Sequence, residues 1–498
     1  MTDHRQAYDL LARGDVEGAL ALTASLAGRP DATAGALAAR ATALKAGGRP
    51  QEALAANRTA VGRFPANAVC WHNLASTLGD LGQAQEAETA ARKAIALGLT
   101  APETRLVLAR ALQEQQRFDD AEQAFIAAID ARPEYEDAHR ELAQLVWMRT
   151  GDRQAALARL ERSIAALPAH PGLRYALAIA HEFTGHPEDA RRTVEAALAI
   201  APRDPRLLGL AVEVCCETDD AAAALKWARA TSGFGISGAN ALTAQALLAA
   251  GEPEAARRAA ELAVAEAPNH QFALALQATA WRLTGDPRYA AMYDYDRLVG
   301  AYDLFDETKA EDRKYLEELR AALQRLHGFT VHPFSQSVRG GGQAPIRLDV
   351  AQEAPIEQLL QRFRSTLQRH VKAIGVGDTI FDRRNTGAVE LTGAWSVRLE
   401  SAGHHTNHVH PMGWISSAFY VSVPDETEDA EAKPGWIKFG EPGVRTTPPL
   451  APERHVQPKP GRLVLFPSYM WHGTVPFASN QQRLTVAFDA APARPASA

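Results

Sequence analysis

"WHNLASTLGDLGQAQEAETAARKAIALG", residues 71–98, decides the architecture of the first part of the chain. It reads as two short amphipathic helices broken at Gly82. A glycine ends the first helix, where a left-handed residue is needed and a Cβ is costly. Ala87, five residues on, is small, so the second helix can approach the first closely. One such hairpin cannot bury its own apolar face; stacked copies share a continuous core.

The copies are there on both sides. Small residues recur as Ala19, Ala53, Ala87, Ala121, Ala156, Ala190, Ala224, Ala256 and Ala290, at steps of 34, 34, 34, 35, 34, 34, 32 and 34. Five residues before each stands a turn position: Gly14, Gly48, Gly82, Gln116, Gly151, Gly185, Asp219, Gly251 and Gly285. Pro30, Pro65, Pro133, Pro168, Pro202 and Pro268 close many of the units, because proline stops a helix. The unit around Asp219 is degenerate and two residues short.

A period of 34 with this pattern resembles the tetratricopeptide repeat family over about nine units, with Trp71, Leu74, Ala75, Ala87 and Ala94 matching it in one repeat. The resemblance implies a superhelical solenoid whose groove receives a protein or peptide. A spacer or oligomerisation stalk is the plainer use of the same shape.

The 498 residues carry a net charge of −6, with 46% hydrophobic and 22% charged residues. A mildly acidic chain exerts no global pull on phosphate backbones, so nucleic acid is not an expected partner. No apolar run has membrane-spanning length, and the start has no signal-like pattern. Cys70, Cys215 and Cys216 fit no disulfide framework and point to reduced thiols in the cytoplasm.

After residue 300 the period disappears. Helices are expected over 311–327, capped by Gly328, and over 355–374. The stretch between, "HPFSQSVRGGGQAP" (332–345), reads as a flexible loop rather than a phosphate cradle, since no Lys-Ser/Thr follows its glycines. From 390 onward come strand-like runs: "AWSVRLES", "WISSAFYVSV", "GWIKFGEP", "GRLVLFP" and "QRLTVAFDA". Helices followed by antiparallel strands suggest a jelly roll with buttressing helices, making the whole an α+β multidomain chain.

Within "HHTNHVHPMGWISSAFYVSVP", residues 404–424, four of the sixteen histidines fall in seven positions. If 408–410 is extended, His408 and His410 share a face and can take neighbouring positions on a metal. The best third ligand is His472, in "GRLVLFPSYMWHGTVPF". Arg483 opens the last strand run, on a face with Thr485 and Ala487, opposite Leu484, Val486 and Phe488. Trp414, Ser416, Ala418 and Tyr420 share one face, opposite Ile415, Phe419, Val421 and Val423. A cavity lined by serine, tyrosine and arginine suits a carboxylate.

This order, two nearby ligands, a distal histidine and then a basic residue, resembles the iron(II)/2-oxoglutarate-dependent oxygenases, closely over about 100 residues. The blocks "AWSVRLESAGHHTNHVHPMGWISSAFYV" and "GRLVLFPSYMWHGTVPF" carry the likeness. The resemblance implies a double-stranded β-helix, with His408 and His472 as Fe(II) ligands and Arg483, assisted by Tyr420, on the distal carboxylate of 2-oxoglutarate. It implies hydroxylation with 2-oxoglutarate and O2 as co-substrates, and ascorbate as an optional reductant. His410 stands where the wider superfamily has a carboxylate. Three arrangements remain open there: direct ligation by His410, a role behind the ligands with water completing the sphere, or charge supplied by Glu400 or Glu441. His404 and His405 are candidates to orient substrate or a ligand.

The expected divisions are residues 1–299 for the repeats, 300–390 for the lead-in, 391–491 for the oxygenase core and 492–498 for a flexible tail. Two other functions compete: a non-catalytic scaffold with a degenerate jelly roll, and a three-histidine dioxygenase that uses no 2-oxo acid.

Overall fold

A computed structural model describes residues 4–493. By compactness the chain forms two units, one running to Val146 with Ala155–Pro168, the other comprising Trp147–Gln154 and everything from Ala169 onward.

Paired helices recur along both units, for example Ala68–Asp80 with Ala84–Ala96 in the first and Pro205–Glu217 with Ala221–Gly233 in the second. All nine turn positions read from the period have positive φ, from +58° at Gln116 to +82° at Gly185. At Gly82 the closing hydrogen bonds run from Gly82 N to Gly79 O and from Gln83 N to Leu78 O. Gln116 and Asp219 adopt the same conformation without being glycine, at a cost of roughly 1–2 kcal/mol each. The periodic alanines from Ala19 to Ala256 are all buried. Ala290 departs from the rule and is exposed, because its helix, Arg288–Met292, is too short to cover it.

Among the described residues the β region of the second unit contains nine strands: β1 Gly300–Asp303, β2 Val338–Ile346, β3 Val389–His405, β4 Ile415–Ser422, β5 Ile437–Phe439, β6 Arg454–Val456, β7 Arg462–Pro467, β8 His472–Thr474 and β9 Arg483–Pro492. They form an antiparallel β-sandwich of a six-stranded sheet, β1-β7-β4-β9-β3-β2, and a three-stranded sheet, β6-β5-β8. Between the sheets Tyr420, Val464 and Phe466 meet Ile437 and Phe439. The other face of the large sheet is covered by the helix Ala354–Ile374, whose Phe363 packs on Phe419 and Phe488 at 5.4 and 4.8 Å. That apolar cluster runs without a break from Ala241 in the helical hairpins to Ala490 in β9. Trp471 Nε1 also donates to Thr279 Oγ1 at 2.9 Å, tying β region to hairpin.

Several expectations are corrected. The triple glycine is in a strand, not a flexible loop. Gly341 and Gly342 pair with Leu399 and Arg398 of β3, with a bulge between Arg339 and Gly341. Glycine is required because a Cβ on Gly341 would strike the Arg398 carbonyl oxygen. His327, not Gly328, caps the helix Ala310–Leu326. Trp414 lies before β4 and stacks on Phe381 at 5.1 Å in the helix-side core, off the face shared by its supposed neighbours. A bulge between Tyr420 and Ser422 shifts the alternation, so Val423 packs with Tyr420 rather than with Val421. Of the expected tail, Pro492 ends β9, and residues 494–498 lie outside the described residues.

Candidate metal centre

His408, His410 and His472 come together, with one ring nitrogen of each lying within 4.8 Å of the others. The backbone sets this up. His408 N donates to His472 O at 2.9 Å and His472 N returns the bond to His408 O at 3.1 Å. His410 N donates to Ser468 O at 3.0 Å. Residues 408–410 are thus held against the segment that leads into β8, although 64 residues separate His408 from His472.

The outer nitrogens decide the tautomers. His408 Nδ1 lies 2.8 Å from Thr406 O and His472 Nδ1 lies 2.9 Å from Met470 O. A carbonyl only accepts, so both Nδ1 atoms carry the proton and both Nε2 atoms offer a lone pair. His410 Nδ1 donates to Asp489 Oδ1 at 2.6 Å. His408 Nε2 and His410 Nε2 then face each other at 3.2 Å. Nitrogens at that distance are held together by a proton or a metal ion between them. Imidazoles at right angles on a metal, with bonds of about 2.1 Å, stand about 3 Å apart. Burial and the neighbouring His410 push His408 down to about 3, and burial holds His472 well below the usual imidazole range. Both remain neutral ligands at physiological pH. The donor set therefore fits a divalent cation held on one face, with other positions open.

Asp489 was missed by the sequence reading, though it continues the alternate face of Arg483, Thr485 and Ala487 along β9. Its carboxylate accepts from His410 and also from Ser416 Oγ at 2.7 Å, and Ser416 Oγ lies 2.8 Å from Ser468 Oγ. Asp489 thus places a negative charge behind His410 and orients its ring. Glu400 and Glu441 do not take this place: Glu400 accepts from Gln482 Nε2 at 2.9 Å and faces Arg398, and Glu441 pairs with Lys438. Of the other two histidines, His405 stacks on His408 at 5.6 Å and shares the Ser337 hydroxyl with it, at 2.9 Å from His405 Nδ1 and 3.2 Å from His408 Nε2. His404 turns away, to the Ala402 carbonyl at 3.1 Å.

The three histidines open on a cavity of about 590 Å³, also lined by Arg483, Thr485, Ala487 and Asp489. Arg483 is 2% exposed. Among the described residues its Nε and Nη1 have no hydrogen-bond partner, and neither does the buried Tyr420 hydroxyl, whose ring lies 5.0 Å from the guanidinium carbon. Burial pulls Arg483 below its usual pKa and lifts Tyr420 above its own. Buried donors left unsatisfied are costly and mark a place for a ligand group. A carboxylate fits a guanidinium with two free nitrogens.

No curated protein matches the chain. Among solved structures, MamA residues 41–end from Desulfovibrio magneticus RS-1 is 18% identical, covering 33% of this chain and 94% of its own, with a TM-score of 0.30. Yeast Tom70 is 14% identical, over 56% of this chain and 60% of its own, with a TM-score of 0.43. A tetratricopeptide repeat protein from Parabacteroides merdae is 17% identical, over 50% and 98%, with a TM-score of 0.35. Residues 68–97, 106–171 and 148–214 match three tetratricopeptide repeat families. Residues 393–489, which span the three histidines, Arg483 and Asp489, match the family described as "Putative 2OG-Fe(II) oxygenase", so repeats and an oxygenase segment occur in one chain.

Proposed function

We propose that the protein is an Fe(II)/2-oxoglutarate-dependent hydroxylase whose tetratricopeptide repeats recruit a protein or peptide. The observation that carries this is the convergence of three imidazole lone pairs in a cavity that also holds an unpartnered buried arginine. His408, His410 and His472 hold the iron, which when bound supplies the activation of O2. Arg483 grips the distal carboxylate of 2-oxoglutarate, with the Tyr420 hydroxyl as a further donor. Asp489 keeps the His410 proton on Nδ1 and brings, from behind the ring, the negative charge that a carboxylate ligand would otherwise supply. The overall reaction places one oxygen atom of O2 in a substrate C–H bond and the other in succinate, with release of CO2. On this reading residues 1–299 recruit, 300–390 brace the sandwich and 391–491 form the catalytic core. The protein acts in the cytoplasm, where Cys70, Cys215 and Cys216 stay reduced, and ascorbate keeps the iron ferrous.

The test is succinate release from 2-oxoglutarate by the full chain with Fe(II) and no added substrate. It should be measurable, and Arg483→Ala should weaken 2-oxoglutarate binding about 100-fold, equivalent to ~3 kcal/mol for two charge-assisted bonds. Failure of the wild-type protein to bind 2-oxoglutarate in the presence of metal sinks the reading. The all-histidine donor set favours one competing function, a dioxygenase that needs no 2-oxo acid. Oxygen uptake unchanged in Arg483→Ala would select it.

A further inference from the structure

The far side of the cavity is lined by helical hairpins of the second unit. Glu182 and Phe183 come from the helix Pro171–Phe183 and Glu217 from the helix Pro205–Glu217. Glu213, one turn before Glu217, lies within electrostatic reach of Glu182. None of these three carboxylates has a hydrogen bond or ion pair among the described residues. Among the described residues the cation that acts on Glu182 and Glu217 is Arg339 of β2, whose hydrogen bonds go elsewhere: Nη1 donates to Gln336 O at 2.6 Å and Val338 O at 2.9 Å, and its guanidinium carbon stands 5.4 Å from the Phe183 ring. The rim also carries Met412, which is 84% exposed, and the wall carries Trp395. The cavity is a ligand site on separate grounds, since Arg483 is deeply buried in its lining with two unpartnered nitrogens.

We propose that the substrate of this cavity carries an ammonium or guanidinium on an aliphatic stem, with Glu182 and Glu217 receiving the cation while the stem passes Met412 and Trp395 towards the three histidines. The inference rests on the oxygenase reading above and names its substrate class. Lysine or arginine side chains of a recruited peptide have this chemistry, as do free amines. The carboxylates are short of positive charge as they stand. They keep open surface, yet protein surrounds them closely enough that burial and mutual repulsion push Glu182 up to about 8 and Glu213 up to about 7, and burial raises Glu217. Among the described residues Arg339 opposes the rises at Glu182 and Glu217. A cation favours the ionised carboxylates and so expels protons from them. Its affinity should therefore rise as pH rises through about 8.

The test uses the full chain and fluorescein-labelled Ala/Ser decapeptides with a central Lys, Arg, norleucine or citrulline, read by anisotropy. The Lys and Arg peptides should bind at least about tenfold more tightly than their neutral counterparts, the scale of one charge-assisted contact. The preference should grow from pH 6 to pH 9 and vanish in Glu182→Gln/Glu217→Gln. Displacement by agmatine would identify free amines as a source of the cation, and binding of peptides alone would identify a polypeptide. Equal binding of the charged and neutral wild-type pairs overturns the inference, and that comparison does not depend on the variant folding. 2-Oxoglutarate binding is measured in parallel. If it persists while the preference is absent, only the substrate class falls; if it is absent while the preference persists, the oxygenase reading falls and the cation site remains.

Discussion

Asp489 carries a role that a histidine triad alone would not reveal. It touches no proposed open position, yet it fixes the ring and proton of His410 through a 2.6 Å bond. Asp489→Asn retains an acceptor of nearly the same shape but removes the charge. Metal affinity should fall roughly 10- to 100-fold, the usual effect of losing such a partner. Competition with a chromophoric chelator measures it, and unchanged affinity would reduce Asp489 to packing. At the same scale, His408, His472 and Arg483 were legible in the sequence because each lies in a short stretch with unusual chemistry. Asp489 was not, because an aspartate near the end of a strand looks like any solvated residue until Ser416 and His410 are seen to close on it.

Among the elements, β2 contradicts its sequence most clearly. Three glycines in a row suggest mobility, but here they let β2 lie close against β3. Gly341→Ala should destabilise the fold by about 1–3 kcal/mol, since the new Cβ meets backbone that cannot swing aside. Urea unfolding reads this directly. No change would mean that the strand is looser than its register implies. The helical hairpins were read far more completely. Their turn positions and buried alanines follow from local rules repeated every 34 residues, so nearly every repeat confirms its neighbours. The short strands β1 and β6 escaped, because three or four residues carry too little alternation to stand out.

For the whole molecule, two consequences follow from burial. Several histidines are kept neutral inside the fold: desolvation pushes His181, His327 and His370 down to about 4, and His408 to about 3. Unfolded, each would take a proton near pH 6.5, so below that pH the unfolded state binds more protons than the native state. Stability should be full above about pH 6.5 and decline steadily towards pH 4, read as a falling thermal midpoint of the metal-free protein. A flat profile over that range would mean that these rings are solvated. The second consequence concerns cutting the chain. The apolar cluster from Ala241 to Ala490 crosses the point where the repeats give way to strands. A fragment beginning at residue 300 should be insoluble or molten, whereas one beginning at Glu136 should retain a cooperative transition by circular dichroism. A well-folded shorter fragment would show that the shared cluster contributes little. No helix among the described residues is long and apolar enough to cross a membrane.

The amino-acid sequence by itself determined the repeating hairpins, the antiparallel strands after them, and which histidines and which arginine deserved attention. These depend on local periodicity and on residue types whose chemistry is scarce, and both survive in one dimension. Only the tertiary structure decided that Asp489 stands behind His410, that the glycine run is a strand, and that Glu182 and Glu217 of the hairpins line the same cavity as the histidines. Such contacts join residues far apart in the chain, and no local pattern encodes which distant surface a side chain will meet.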